Sequence, residues 1–332
     1  MALIAAVVAG TVAILGASGF DVSRALTALI AGSVGSLDAI GSATLVRATP
    51  LILTGLAVAV AFQAGVFNIG AEGQFLMGAA ATTATALAGH ALPPVLLLPL
   101  VLAAGAAAGG AWAWLASVLR TRFHVLEVIS TIMLNFIATY FVSYLVRGPL
   151  QEPTHIFPQT ESIVDAARLP RLWPGTRLHF GFVIACVACL ATWWVIRHTA
   201  AGFRLRVVGA NPFAAISAGQ IDLRRVTTRA FLLSGAFAGL AGAVEVTGVT
   251  LALYENISPG YGYTAIAVAL LARLDAMAVI ATGVLFGALE AGSNAMQRDA
   301  GVPSVVVSII EAAIILVLVA VERVRLTGAA RA

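Results

Sequence analysis

The most constraining feature of the chain is a series of apolar runs, many close to the roughly 20 residues that an α-helix needs to cross a bilayer. Of the 332 residues, 60% are hydrophobic and 10% are charged, whereas soluble domains carry about 25% charged residues. This composition excludes a soluble enzyme, a disordered chain and an ordinary nucleic-acid-binding protein. We predict an all-α fold: a polytopic membrane protein of about ten transmembrane helices, with residues 1–332 forming a single domain.

All 19 basic residues are Arg, and the sequence contains no Lys. A P-loop and a Schiff base both require Lys, so any ATP used by this protein must be bound by another chain. The two cysteines, Cys186 and Cys189, lie inside one apolar run. We interpret them as small apolar residues and not as a redox or metal motif. The sequence therefore predicts neither an enzyme nor a chain with its own cofactor or metal.

The hydropathy pattern predicts ten spans, and a weakly amphipathic stretch at 21–43 follows the first of them. The spans cover 2–20, 44–63, 75–89, 93–119, 127–146, 180–196, 230–251, 264–272, 277–295 and 305–321. The eighth, 264–272, is too short to cross about 30 Å of hydrocarbon unaided.

Arginines in short loops indicate the orientation of the chain, because cytoplasmic loops carry the excess of basic residues. The connections at 120–122 and 197–229 and the C-terminal segment 323–331 are Arg-rich and are predicted to be cytoplasmic. The Pro-rich loop 147–178 also contains acidic residues and is predicted to be external. We therefore predict a multi-pass membrane protein with both termini in the cytoplasm.

Two polar breaks interrupt the apolar pattern, at residues 65–74 and 254–263. Both contain Asn-Ile followed by glycines, and they occupy corresponding places in halves of opposite direction. Many transporters build their site from interrupted helices in inverted repeats, so the pattern favours an inverted repeat. The alternative is that both breaks are ordinary interfacial loops.

Glycines spaced four residues apart occur at Gly105 and Gly109 and again at Gly235 and Gly239. Small residues at this spacing allow helix backbones to approach closely in lipid. They could form a subunit interface, and the favoured alternative is packing within the chain.

Several glutamates fall in or beside the apolar runs: Glu72, Glu127, Glu245, Glu290 and Glu311. A carboxylate at the bilayer centre costs about 2.5–3.5 kcal/mol, so each needs a partner or a cavity. Glu127 fits a helix start, and Glu290 and Glu311 could pair with Arg298 or be neutral in a packed bundle. Such a string of carboxylates also fits the ion path of a secondary transporter.

Five ordered segments carry a family resemblance: 65–74, 127–135, 202–212, 258–263 and 294–297. Together they resemble permease subunits of ABC importers in the branched-chain amino acid, ribose and nucleoside superfamily, most closely its nucleoside and simple-sugar branch. The resemblance covers residues 44–320. The sequence departs from the family pattern at 272–276, where relatives carry a Gly-Arg-Asn type turn.

The resemblance implies a type II ABC importer-like bundle in the bacterial cytoplasmic (inner) membrane that translocates a nucleoside delivered by an extracytoplasmic binding protein. It also implies a separate ATP-binding cassette ATPase and a second permease chain, in a homodimer or a heterodimer. A simple sugar or a branched-chain amino acid is the alternative substrate, and an ion-coupled secondary transporter is the alternative class.

The candidate functional residues form two groups. The predicted substrate pathway comprises Asn68, Glu72, Gln74, Glu245, Asn256, Ser258 and Tyr261. The predicted ATPase-coupling loop, within 197–229, comprises Gly202, Arg204, Arg206, Gly209, Asn211 and Pro212. In this loop a short helix at 211–219 is predicted, with Asn211 as its cap and Pro212 in its first turn.

Overall fold

A computed structural model describes residues 19–217 and 221–303, together with residues 16, 309 and 312. Within these residues the fold is helical, and β structure is confined to two isolated bridges. Nearly all of the predicted first and last spans, and Glu311, lie outside the described residues.

The described helices are numbered here in chain order. They are α1 (Val22–Val34), α2 (Leu45–Gln63), α3 (Ala71–Ala88), α4 (Pro94–Phe123), α5 (Glu127–Arg147), α6 (Gly181–His198), α7 (Ala200–Ala210), α8 (Pro212–Ser217), α9 (Leu223–Glu245), α10 (Tyr261–Leu271) and α11 (Ala278–Ala300). A π-helical turn, Ala39–Thr44, precedes α2, and another, Val246–Thr250, follows α9. Short 3-10 turns aside, the rest of the described chain is irregular.

Six of the described helical segments are long and apolar enough to cross a membrane. They are Ala39–Gln63, Pro94–Phe123, Glu127–Arg147, Gly181–His198, Leu223–Thr250 and Ala278–Ala300. Two shorter apolar helices, α1 and α10, accompany them. The chain is therefore a multi-pass helical membrane protein.

The largest boundary difference between prediction and structure is at α9. The sequence predicts its start at residue 230, but the helix begins at Leu223. The Asp222 side chain caps it by accepting a hydrogen bond of 3.0 Å from the Arg225 backbone nitrogen. The basic residues before 230, which appear loop-like in a hydropathy profile, are therefore the first turns of a helix.

The described contacts divide the chain into two compact units, 1–47 with 285–332 and 48–284. In the first unit, Ala25 and Ala28 of α1 pack with Met296 of α11. The Glu290 carboxylate lies 3.6 Å from Arg47. Arg47, and not the predicted Arg298, is therefore the arginine within ion-pair distance of Glu290.

In the second unit, the two glycine pairs meet where α4 crosses α9. A Cβ atom added at Gly239 would lie 2.8 Å from the Gly109 Cα. A Cβ atom at Gly235 would lie 3.0 Å from the Gly109 carbonyl carbon. Packing within the chain, the favoured interpretation of these glycines, is confirmed.

Candidate functional site

The two polar breaks meet in the second unit at the Glu72 carboxylate. Glu72 lies in the first turn of α3 and is buried. Its Oε2 atom accepts a hydrogen bond of 2.7 Å from the Gly262 backbone nitrogen, in the first turn of α10. The Ser258 side chain lies beside the same carboxylate. One acidic side chain therefore connects the starts of two helices, where backbone N–H groups lack partners within the helix.

Close backbone packing accompanies this hydrogen bond. A Cβ atom added at Gly262 would lie 2.5 Å from the Glu72 Cα and 2.7 Å from the Ala71 carbonyl carbon. Beside this contact, the buried Tyr261 ring lies 5.7 Å from the Phe75 ring, centroid to centroid. Position 262 therefore requires glycine, and we call this contact the junction of the two breaks.

Reciprocal amide hydrogen bonds hold the first break. Asn68 and Gln74 donate to and accept from each other, both at 3.0 Å. The Asn68 Nδ2 atom also donates to the Ser234 hydroxyl at 2.9 Å, and Ser234 in turn donates to the Ala57 carbonyl at 2.7 Å. Asn68, Gln74 and Ser234 are all buried. In this conformation the two predicted amides stabilise the irregular, largely buried backbone of the first break, and Asn68 also accepts from the Gly70 nitrogen at 3.0 Å.

Asn135 of α5 is a site residue that the sequence reasoning missed. Its Oδ1 atom accepts from the Gly73 nitrogen at 2.9 Å, and its Nδ2 atom donates to the Ile69 carbonyl at 3.0 Å. The Tyr263 hydroxyl lies 3.4 Å from the same Nδ2. Asn135 therefore hydrogen-bonds to two backbone groups of the first break, the Ile69 carbonyl and the Gly73 nitrogen. The available signal was a lone amide within an apolar helix.

The remaining predicted pathway residues differ in how far their side chains are buried. Glu245 is buried at the end of α9. Partial burial of Tyr254 raises the pKa of its hydroxyl, and Glu245 adds a smaller electrostatic contribution. Asn256 is exposed in the second break, with a left-handed φ of 56°. Ser258 is half-buried and accepts from the Tyr261 nitrogen at 3.1 Å. The structure brings Glu72, Ser258 and Tyr261 together, while the role of the group in substrate passage stays a prediction.

The loop after α5 covers the second break through backbone hydrogen bonds. Thr160 donates to the Leu253 carbonyl and Ile163 to the Leu251 carbonyl, each at 2.8 Å. Both acceptors follow the π-helical turn Val246–Thr250, so these bonds satisfy carbonyl groups of the irregular segment that leads into the second break.

An ion pair attaches the end of α5 to the second break. Arg147 binds both carboxylate oxygens of Glu255, at 2.6 and 2.7 Å, and Ser143 donates to the same carboxylate. These hydrogen bonds lower the pKa of Glu255 to about 2.

The basic connection 197–229 folds into α7, α8 and the start of α9. Asn211 caps α8 as predicted, since its Oδ1 accepts from the Phe213 and Ala214 nitrogens at 3.0 and 3.1 Å. The helix is Pro212–Ser217, shorter than the predicted 211–219. Phe213 is 80% exposed and Ile216 is 57% exposed. The short helix α8 therefore has two large exposed apolar side chains, Phe213 and Ile216.

The predicted coupling residues are not all on the surface. Arg204 and Arg206 of α7 are exposed. Gly202 is buried against the end of α6, and Gly209 packs against the Gln63 carbonyl at the end of α2. The two arginines are therefore available to a partner, whereas the two glycines allow close helix packing.

These features define a multi-pass helical membrane protein with two irregular segments joined inside one bundle. The family described as "Branched-chain amino acid transport system / permease component" matches residues 40–319. The chain belongs to this family and is a permease component of an ABC transporter. That membership decides against the secondary-transporter alternative, and it implies an ATPase and a substrate-binding partner.

The chain is similar to several characterised permeases. A glucose ABC transporter permease of Haloferax volcanii is 41% identical, over 89% of this chain and 83% of the relative. A guanosine ABC transporter permease of Bacillus subtilis is 40% identical, over 95% and 90%. A nucleoside ABC transporter permease of Lactococcus lactis is 33% identical, over 86% and 80%.

Proposed function

We propose that this chain is the permease subunit of a bacterial ABC importer that moves a nucleoside across the cytoplasmic membrane. A binding protein outside the membrane delivers the nucleoside, and a separate ATPase subunit supplies the energy. The observation that carries the proposal is the 40% identity to a guanosine permease over 95% of this chain. The similar nucleoside permease of Lactococcus lactis supports the same substrate class.

The proposed architecture is a single permease domain, residues 1–332, of about ten transmembrane helices with an inverted repeat and both termini in the cytoplasm. The junction supports the repeat, because each break leads directly into the first turn of a helix, at Glu72 of α3 and Gly262 of α10. The permease works beside a second permease chain, identical or different. It carries no catalytic group or cofactor of its own.

The proposed substrate pathway passes the two breaks. Asn256 and Ser258 have accessible surface and can hydrogen-bond to ribose or to base edges. Asn68, Gln74 and Glu72 hold the backbone of the breaks in shape. Glu245 and Tyr261 complete this supporting layer. Rocking of the bundle then moves the breaks relative to each other and alternates access to the pathway.

The proposed ATPase contact is the α7–α8 connection. The bare Phe213 and Ile216 side chains fit an apolar groove, and the exposed Arg204 and Arg206 fit an acidic rim. Asn211 and Pro212 fix the start of α8, while Gly202 and Gly209 allow α7 to pack closely against the ends of α6 and α2. Nucleotide-driven closure of the ATPases is transmitted through this rigid connection.

A sugar is the second candidate substrate, because the similar Haloferax volcanii permease is named for glucose. The discriminating experiment is calorimetric titration of the cognate binding protein with guanosine and with glucose, followed by uptake of both labelled solutes in cells lacking this permease. We expect the binding protein to bind guanosine, and the wild-type gene to restore guanosine uptake. Glucose binding and uptake without guanosine binding would overturn the nucleoside assignment.

A further inference from the structure

Helix α5 carries a polar residue at every fourth position along its whole length. The series is Glu127, Thr131, Asn135, Thr139, Ser143 and Arg147. Residues four apart are neighbours on a helix surface, so the series forms one continuous ridge. Polar groups inside a membrane span are costly and face protein partners or water far more often than lipid. The charged and amide members of the ridge therefore need a polar environment, whereas a threonine hydroxyl can also donate to a carbonyl of its own helix, as Thr131 and Thr139 do.

Most of the ridge already has that environment in the second unit. Near the middle, Asn135 binds the first break and reaches the Tyr263 hydroxyl of α10. Near the end, Ser143 and Arg147 bind Glu255 in the second break. The same ridge thus contacts the second break or α10 at two separate heights.

Thr139 lies between these two contacts and is exposed. It is about 18 Å along the helix axis from Glu127 and therefore lies within the hydrocarbon thickness. The Thr139 hydroxyl donates to the Asn135 carbonyl at 3.0 Å, so its proton is not available for another hydrogen bond. A hydroxyl oxygen that donates its proton can still accept a hydrogen bond through its lone pairs. Tyr263, 46% exposed, presents an aromatic ring on the neighbouring helix.

We infer that the middle of the α5 ridge, from Asn135 to Ser143, forms part of one wall of the substrate path beside the second break, and that Thr139 contacts the passing nucleoside. The Thr139 oxygen accepts from a ribose hydroxyl or a base N–H group, and the Tyr263 ring offers a stacking surface for the base. The identity of the solute rests on the proposed function. The wall itself rests on the ridge and its contacts.

Thiol labelling tests this assignment in the complete transporter, with ATPase and binding protein, reconstituted in lipid nanodiscs. The native Cys186 and Cys189 are first replaced by Ala. Thr139→Cys is then compared with Ile137→Cys, the matched control. Ile137 is 54% exposed at nearly the same depth but points about 160° away around the helix. The probe is a charged methanethiosulfonate, which labels thiols in water and not those in lipid.

We expect the Thr139→Cys variant to be labelled at least tenfold faster than the Ile137→Cys variant in the nucleotide-free or the ATP-bound state. Guanosine-loaded binding protein should slow that labelling. Absence of labelling at position 139 in both states, or equal labelling of the two variants, would contradict the assignment of α5 to the wall of the substrate path.

The same labelling separates this inference from the proposed function. Protection of position 139 by glucose and not by guanosine would support the wall and overturn the nucleoside. Guanosine uptake by a Thr139→Cys transporter that the probe does not label would overturn this inference and leave the proposed function intact.

Transport rates supply a second, independent readout. Thr139→Val keeps the shape of the side chain but removes the acceptor oxygen, and Thr139→Ser keeps the oxygen. Loss of one hydrogen bond predicts a guanosine transport rate about threefold to tenfold lower for Val, with Ser close to wild type. Equal rates for Val and wild type would overturn the contact with substrate.

Discussion

The Glu72 carboxylate accepts a 2.7 Å hydrogen bond from the backbone nitrogen of Gly262, a residue 190 positions later in the chain. This bond joins the two irregular segments of the bundle. Both partners lie in the first turn of a helix, so the carboxylate satisfies a backbone group that has no acceptor within its own helix. A change in the relative position of the two breaks must alter or break this bond.

Removing the Glu72 side chain should destabilise the junction. Glu72→Ala leaves the buried Gly262 N–H without its acceptor, which costs about 1–3 kcal/mol of unfolding free energy. Glu72→Gln keeps a carbonyl acceptor and should cost less. Unfolding of the purified complex in detergent measures both, with Asp165→Ala as the control because that side chain is 88% exposed. Equal stability of Glu72→Ala and Asp165→Ala would contradict the role of the junction.

A methyl group at position 262 should be more damaging than one on a looser helix contact. In Gly262→Ala the new Cβ atom collides with the Glu72 backbone, which cannot move as a flexible side chain would. We expect loss of transport and reduced yield of the assembled complex. Gly110→Ala is the matched control, because its Cβ atom meets nothing closer than 3.3 Å. Transport by Gly262→Ala at the level of Gly110→Ala would contradict the close approach.

Acid should weaken the attachment of the second break to α5. The pKa of Glu255 is lowered from 4.5 to about 2 by hydrogen bonds from Arg147 and Ser143. As the pH falls, the unfolded chain therefore takes up this proton before the folded one does. The stabilisation is complete above pH 4.5 and is lost as the pH falls toward 2.

The measurement is the difference in unfolding temperature between wild type and Glu255→Gln across this pH range. The difference should stay constant from about pH 8 to about pH 5 and shrink at lower pH. Asp165→Asn, which alters an exposed ion pair, serves as the control. A difference that is zero near neutral pH, or that grows on acidification, would refute the ion pair's contribution.

Polar side chains on α8 should release the ATPase without unfolding the permease. The double variant Phe213→Ser with Ile216→Ser changes two residues that are 80% and 57% exposed. We expect at least a tenfold loss of ATPase recovered with the tagged permease, and an unchanged unfolding temperature of the permease itself. Gly209 is unsuitable for this test because any side chain there meets the Gln63 carbonyl. Full ATPase recovery with the double variant would exclude α8 as the contact.

Local signals in the sequence were sufficient for much of the fold. The apolar runs located the described membrane helices, and the α8 cap at Asn211 followed from side-chain chemistry alone. The start of α9 was predicted seven residues late, because a hydropathy profile places basic residues in loops although a capped helix can extend into water.

The candidate site was only partly predictable, because its partners are far apart in sequence. Both breaks were recognised by their polar and glycine content, but the bond between Glu72 and Gly262 depends on tertiary packing. Asn135 was missed because an amide within an apolar helix gives no indication of which backbone groups it will bind. The buried state of Asn68 and Gln74 follows from their mutual hydrogen bonds, and spacing alone did not predict those.

The most direct test of the central claim is uptake of labelled guanosine by proteoliposomes containing the complete transporter. We predict that guanosine accumulation requires both the binding protein and ATP supplied on the side of the vesicle where the ATPase subunits lie. The accumulation should persist in the presence of an uncoupler. Vesicles containing the Glu72→Ala permease should accumulate less under the same conditions. Uptake by the permease alone, without ATPase and abolished by the uncoupler, would contradict the account.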